Sequence, residues 1–187
     1  MVYKKSFLIL LITLASFINY IEAQAISASK LKVEYIENPV GIDIPDPRFS
    51  WISVSESRGI SQSAYQIQVA DKIENLLSNG QKVWDSGKVS SSQSVNITYQ
   101  GEPLKPGETY YWRVGVWDQN GEGGKWSKTG SFHVGPMKNS DWEGKWIGAA
   151  DTTISAPILR KEFALSKPVA SAYAYIVGLG YYELYLN

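Results

Sequence analysis

Leu104-Lys-Pro-Gly-Glu-Thr-Tyr-Tyr-Trp-Arg-Val-Gly-Val-Trp-Asp118 alternates with a period of two once the proline-glycine turn is passed. Tyr110, Trp112, Val114 and Val116 fall on one side, and Tyr111, Arg113, Gly115 and Trp117 on the other. Side chains alternate across a strand, so this is one long β-strand with an apolar inner face and a mixed outer face. Leu104, Pro106 and Tyr110 stand at the spacing of a tyrosine corner, in which the phenol bonds back to upstream backbone where one sheet passes into the other. The stretch therefore reads as the central F strand of a fibronectin-type-III or immunoglobulin-like sandwich.

The flanking chain supplies the remaining strands. Leu31–Tyr35 alternates and reads as the first. Residues 38–47 hold three prolines and a glycine and read as an irregular edge crossing, since proline cannot donate to a ladder. Arg48–Val54 places Phe49 and Trp51 on one face. Ala64–Ala70 puts Tyr65, Ile67 and Val69 inward and Gln66 and Gln68 outward. Ile73–Leu77 suits one helical turn. Val83–Val89, Ser94–Tyr99 and Thr129–Val134 complete seven strands, with a hairpin loop at 119–124. No helical segment long enough for a crossover intervenes, which disfavours a parallel sheet.

Lys4 and Lys5, an apolar run from Phe7 to Ile18, and Ala23-Gln24-Ala25 form the three parts of a cleavable export signal. The run is too short to span a bilayer, which takes about 20 apolar residues. Cleavage after Ala25 and a secreted or periplasmic protein without a membrane anchor are expected. The organisation predicted is a signal peptide at 1–25, a β-sandwich at 26–137 and the start of a truncated second β-domain at 138–187. In that last region 141–148, 157–163, 169–177 and 181–187 read as strands, too few to close a sandwich, so a truncated chain is expected.

Eighteen basic and eighteen acidic residues give a formal net charge of zero, and no basic stripe appears. Capture of nucleic acid is disfavoured. With no cysteine, the protein has no disulfide and depends on its core. Seven Trp, twelve Tyr and five Phe supply it.

Glycan chemistry requires two carboxylates across a scissile bond, about 5–9.5 Å apart depending on stereochemistry. Asp85, Asp118, Glu122, Asp141 and Glu143 are available, all in turn-like contexts with nothing to hold two across a cleft. No catalytic residue is assigned. Asp43 and Asp46 could suit a cation, but turn chemistry accounts for aspartates beside prolines. His133 is the one histidine and reads as a satisfied strand residue; it cannot build a relay or a zinc site. No metal or cofactor is expected. Asn96-Ile-Thr98 matches a glycosylation sequon within a predicted strand. Alternation turns Trp51 and Trp112 inward. Trp117 and Trp126 face outward or lie near a loop, and are the candidates for an inter-domain contact or for stacking on a sugar.

Pro47-Arg-Phe-Ser-Trp51, Gln62–Ile67, Trp84–Val89, Tyr110–Val114 with Trp117-Asp118, Leu159–Phe163 and Gly178–Asn187 together resemble the N-terminal region of bacterial α-L-rhamnosidases of glycoside hydrolase family 78. That resemblance implies accessory β-modules, the second jelly-roll-like, ahead of an (α/α)₆ barrel bearing two catalytic glutamates. It implies release of terminal α-L-rhamnose with inversion. None of the barrel positions lies in this chain. The implied partners are rhamnose-containing glycans, reached through that missing domain, and downstream domains packed against the modules. The alternative is a free-standing carbohydrate-binding or adhesive sandwich.

Overall fold

A computed structural model describes residues 26–78, 80–123, 125–151 and 153–186. The predicted export signal lies outside the described residues. Among the described residues eight strands form: β1 Ser27–Val33, β2 Val40–Ile42, β3 Arg48–Val54, β4 Gln62–Ala70, β5 Trp84–Asp85, β6 Ile97–Thr98, β7 Thr109–Asp118 and β8 Gly130–Val134. One short helix, α1 Ile73–Leu77, follows β4, and a 3-10 turn, Asn139–Asp141, follows β8. One sheet has the order β1-β3-β6, the other β2-β8-β7-β4-β5. This is the two-sheet, immunoglobulin-like sandwich that the alternation predicted.

β7 sits at the centre of the five-stranded sheet, between β4 and β8. Its inner face reads as expected: Tyr110, Trp112, Val114 and Val116 are all buried. Antiparallel pairing sets Val69, Ile67 and Tyr65 of β4 opposite Trp112, Val114 and Val116. Phe49, from the facing sheet, meets Trp112 edge to face with ring centroids 4.7 Å apart. It also touches the rings of Trp84, Tyr99 and Phe132, so it is the hub of the aromatic core. Offset and edge-to-face pairs add to the area such rings bury, which suits a sandwich without disulfides. The Tyr110 hydroxyl accepts the backbone N–H of Lys105 at 3.0 Å, forming the corner.

A buried amide ties the sheets together. Gln62 Oε1 accepts from Trp51 Nε1 at 2.9 Å and from Ser53 Oγ at 2.7 Å. Its Nε2 donates to the carbonyls of Ser91 and Gln93 at 3.2 and 2.9 Å. Both ends of the amide are satisfied, as a buried side chain requires.

Five expectations need correction, one of them the strand at 94–99, which pairs only over Ile97–Thr98. β1 ends at Val33: Glu34 (φ 46°) and Tyr35 (φ 69°) form a tight left-handed turn closed by paired bonds between Val33 and Ile36. The Glu34 carboxylate accepts the Arg48 N–H at 2.6 Å and its Nε at 3.0 Å, while Arg48 lies over the Tyr35 ring. These charge-assisted contacts hold residues that sequence preference would leave extended. Val40–Ile42 is not irregular throughout but pairs parallel to β8, its prolines left on either side. The strand predicted at 83–89 breaks after Asp85, because Gly87 adopts φ 60° and Ser86 Oγ takes the N–H of Ile67. Finally, the described residues of 142–186 form no strand. A strand needs a ladder partner, and here the apolar side chains are turned outward, with Ile158 97%, Leu179 91% and Tyr181 92% exposed.

Candidate aromatic-polar face and the relatives of the chain

The outer face of the five-stranded sheet carries the predicted contact residues. Register sets Gln68 opposite Arg113, Gln66 opposite Gly115 and Ala64 opposite Trp117. β5 adds Asp85 opposite Gln68. A polar row then runs across three strands. Gln68 Oε1 accepts from Arg113 Nε and Nη2 at 3.0 and 2.8 Å, and Gln68 Nε2 donates to Asp85 Oδ2 at 2.8 Å. Burial raises the Asp85 pKa, but the bonds from Gln66 and Gln68 and from the Gly87 N–H outweigh it and leave the carboxyl below its ordinary value. Burial lowers Arg113, with Asp85 opposing.

Trp126 lies over this row. The Arg113 guanidinium carbon is 4.4 Å from its ring centroid, and its six-membered ring rests on Gly115. A Cβ at Gly115 would meet that ring at 3.4 Å, an ordinary van der Waals contact, so the indole lies close over the strand here. The adjacent hairpin returns through Ser127, whose N–H donates to the Val114 carbonyl at 2.9 Å. Trp117 lies beyond Gly115, with Lys88 Nζ 4.6 Å from its ring. Gly123 packs against Trp117 Nε1 so closely that a Cβ there would lie 2.5 Å away. Trp117 and Trp126 are thus on one face, flanking Gly115. Each ring has a cation beside it, and Trp126 is 37% exposed. The arrangement is a partly exposed cation–π platform edged by amides. Sequence reasoning found the two tryptophans, and Asp85 only as a candidate acid, but not Arg113, Gln68 and Lys88. The one signal for those was the run of long polar side chains on outward positions.

Two of the other candidate acids are structural. Asp118 Oδ1 accepts the N–H groups of Asn120 and Glu122 at 2.9 and 3.0 Å and shapes the hairpin. Asp141 Oδ2 accepts those of Met137 and Lys138, each at 2.9 Å, at the 3-10 turn. Glu122 and Glu143 are exposed, as are Asp43 and Asp46 between β2 and β3. Asn96 is exposed just before β6 with φ 55°, rather than within the strand. His133 is a buried strand residue with partners on both ring nitrogens, Thr109 and Tyr175. Trp51 and Trp112 are buried, Trp142 and Trp146 exposed.

The family model described as the Rha78A-like, N-terminal immunoglobulin domain matches residues 28–138. An α-L-rhamnosidase of Alteromonas sp. (strain LOR) is 40% identical over 171 residues, covering 85% of this chain and 18% of that protein. One from Formosa agariphila is 41% identical over 165 residues, covering 82% and 18%. The crystal structure of Streptomyces avermitilis α-L-rhamnosidase complexed with L-rhamnose superposes with a TM-score of 0.63 at 43% identity, covering 67% of this chain and 12% of that one. The chain thus spans under a fifth of the length of the relatives it matches. With two packed sheets, a tyrosine corner on the central strand and a matching model across 28–138, the chain belongs to the Rha78A-like N-terminal immunoglobulin domain family.

Proposed function

We propose that this chain is an N-terminal accessory module of an exported α-L-rhamnosidase, bracing a catalytic domain encoded beyond it. The observation that carries this reading is extent: relatives with rhamnosidase names match most of this chain, whose family model is an N-terminal domain, while this chain covers 18% of them. Bond cleavage with inversion takes an acid and a base about 6.5–9.5 Å apart. Here Asp85, Asp118 and Asp141 are each committed to neighbouring amides instead. The apolar side chains exposed in 142–186 support a second β-domain starting at 138, whose strands acquire ladder partners from further chain. The strand order, with β5 joined to β4 and β1 to β3, supports a fibronectin-type-III-like variant of the sandwich. The basic-apolar-small pattern of residues 1–25 supports export. Among the described residues, no helix is long and apolar enough to cross a membrane.

The role of Trp117 and Trp126 in this reading is to pack against that downstream chain. Their rings already hold Lys88, Arg113 and Gly115, which suits a protein contact better than an open sugar platform. Binding of rhamnose-containing glycan by the same face is the second reading, favoured by the partial exposure of Trp126 beside Arg113.

The test is turnover. The 187-residue chain should release no rhamnose from p-nitrophenyl α-L-rhamnoside, whereas a form extended to the length of its relatives should. Turnover by the short chain, or none by the extended one, overturns the accessory reading. Calorimetric heat on adding rhamnose oligosaccharides, abolished in Trp126→Ala, would instead establish the sugar platform.

A further inference from the structure

A cavity of about 550 Å³ at the end of the sandwich opposite the hairpin loop is lined by Asp71, Glu108, Thr109, Tyr111, His133 and the segment Ser171–Tyr175. That segment comes from the region without strands, yet it makes specific contacts with β8. The Tyr173 ring stacks on His133 with centroids 3.6 Å apart and planes 12° from parallel. The Tyr175 hydroxyl bonds His133 Nε2, and it also donates to the Val134 carbonyl at 3.3 Å. The Tyr175 ring edge lies against Gly135, where an added Cβ would come within 3.3 Å. On the other side of the imidazole, Nδ1 is 2.8 Å from Thr109 Oγ1.

We propose that His133 and the C-terminal end of β8 form the seat of an intramolecular latch, into which Tyr173 and Tyr175 insert to fix the post-sandwich chain on the immunoglobulin-like domain. The contact joins residues 42 positions apart, so it orients one unit on the other rather than tightening a turn. The hydrogen bonds assign a consistent proton order. Tyr175 donates to Val134, so it accepts Nε2–H, and Nδ1 accepts the Thr109 hydroxyl. Every donor and acceptor is then used by a neutral ring. A second ring proton would have no acceptor until Thr109 turned its hydroxyl.

The latch therefore loosens in acid. Burial beneath Tyr173 and Thr109 pushes the His133 pKa down, and Glu108 opposes this from the turn before β7. Asp71, Tyr111, Tyr173 and Tyr175 are the other titratable groups facing the cavity. Undocking removes the burial that the tyrosines add, so the pKa of the imidazole rises toward the ordinary histidine value. Undocking takes up a proton, so docking is strongest above that value and is lost as pH falls toward the lower docked one.

The experiment follows the single histidine by NMR in the full 187-residue chain. In the wild type its ring protons should be shifted upfield by Tyr173, with a titration midpoint below about 6.5. Tyr173→Ala should remove the upfield shift and raise the midpoint above that of the wild type. Tyr175→Phe should keep the stack but speed Nε2–H exchange by between about two- and tenfold, the loss expected for one hydrogen bond. Unchanged methyl resonances of Val69 and Val114, in the core away from β8's end, verify the fold in each variant. A wild-type ring that titrates as a free histidine, or shifts identical in wild type and Tyr173→Ala, overturns the latch. No rhamnoside is involved, so the outcome is separate from that of the accessory-module test.

Discussion

Replacing Gln62 by methionine should destabilise the sandwich by about 2–3 kcal/mol, chiefly through one orphaned donor. Methionine keeps the length and removes the whole amide. Of the four partners that Gln62 serves, the carbonyls of Ser91 and Gln93 lie in part-exposed or exposed residues and can turn to water. The Ser53 hydroxyl is half-buried and can rotate. Trp51 is different: it is 2% exposed, its ring is fixed edge to face on Tyr65 at 5.2 Å, and its Nε1–H has nowhere else to donate. A buried unpaired donor costs about 1–3 kcal/mol, and the loss of the lesser bonds adds about 1 kcal/mol. Urea unfolding of the full chain, read by circular dichroism, measures the change as a fall in midpoint at constant slope. The decisive comparison is the double variant Gln62→Met with Trp51→Phe. Phenylalanine has no N–H to orphan, so Trp51→Phe should cost less in the Gln62→Met background than alone, by about 1 kcal/mol or more. Strict additivity, or a Gln62→Met loss below about 0.5 kcal/mol, would refute the assignment of Gln62 as the buried link between sheets.

Tyr110→Phe removes the acceptor of the Lys105 N–H and should cost about 1 kcal/mol in urea unfolding; an unchanged midpoint would mean that the corner contributes packing alone. Gly123→Ala forces a Cβ against Trp117 Nε1 and should cost about 1–3 kcal/mol, with the hairpin displaced in amide exchange; a neutral result would show that the indole is free to move. Hydrogen bonding by Arg48 holds Glu34 below the ordinary glutamate value. The stability linked to it is present above that value and is lost as pH falls through the lowered folded one, so Glu34→Gln should flatten the thermal midpoint across that acid range. Persistence of the full acid slope in Glu34→Gln would assign the dependence to other carboxylates.

The long strands were legible because alternation is a property of consecutive residues. β4 and β7 each announce an inner face, and Leu104, Pro106 and Tyr110 announce the corner by spacing alone. Where conformation depends on a distant partner, the reading failed. Glu34 and Tyr35 look like the continuation of an extended strand, but Arg48 captures Glu34 from 14 residues away and bends the chain. Val83–Val89 looks continuous, but Ser86 is claimed by the Ile67 N–H. In 142–186 the alternation is clear while the described residues hold no ladder, because periodicity specifies a face and not the strand that pairs beside it.

The same division holds for the candidate face. Seven tryptophans and an outward Trp117 were enough to propose a contact surface. Only register across β7, β4 and β5 could align Arg113, Gln68 and Asp85 in one row, and only the return of the hairpin could set Trp126 on Gly115. Sequence by itself determined which side of each long strand is apolar, where the corner lies and the absence of a histidine relay or disulfide. Tertiary structure decided which polar atoms meet: the four partners of Gln62, the cation over each outer tryptophan and the tyrosines on His133. The physical reason is range. Side-chain direction follows from backbone geometry one residue at a time, whereas a hydrogen bond or ring contact exists only after loops have brought residues tens of positions apart to within a few ångströms.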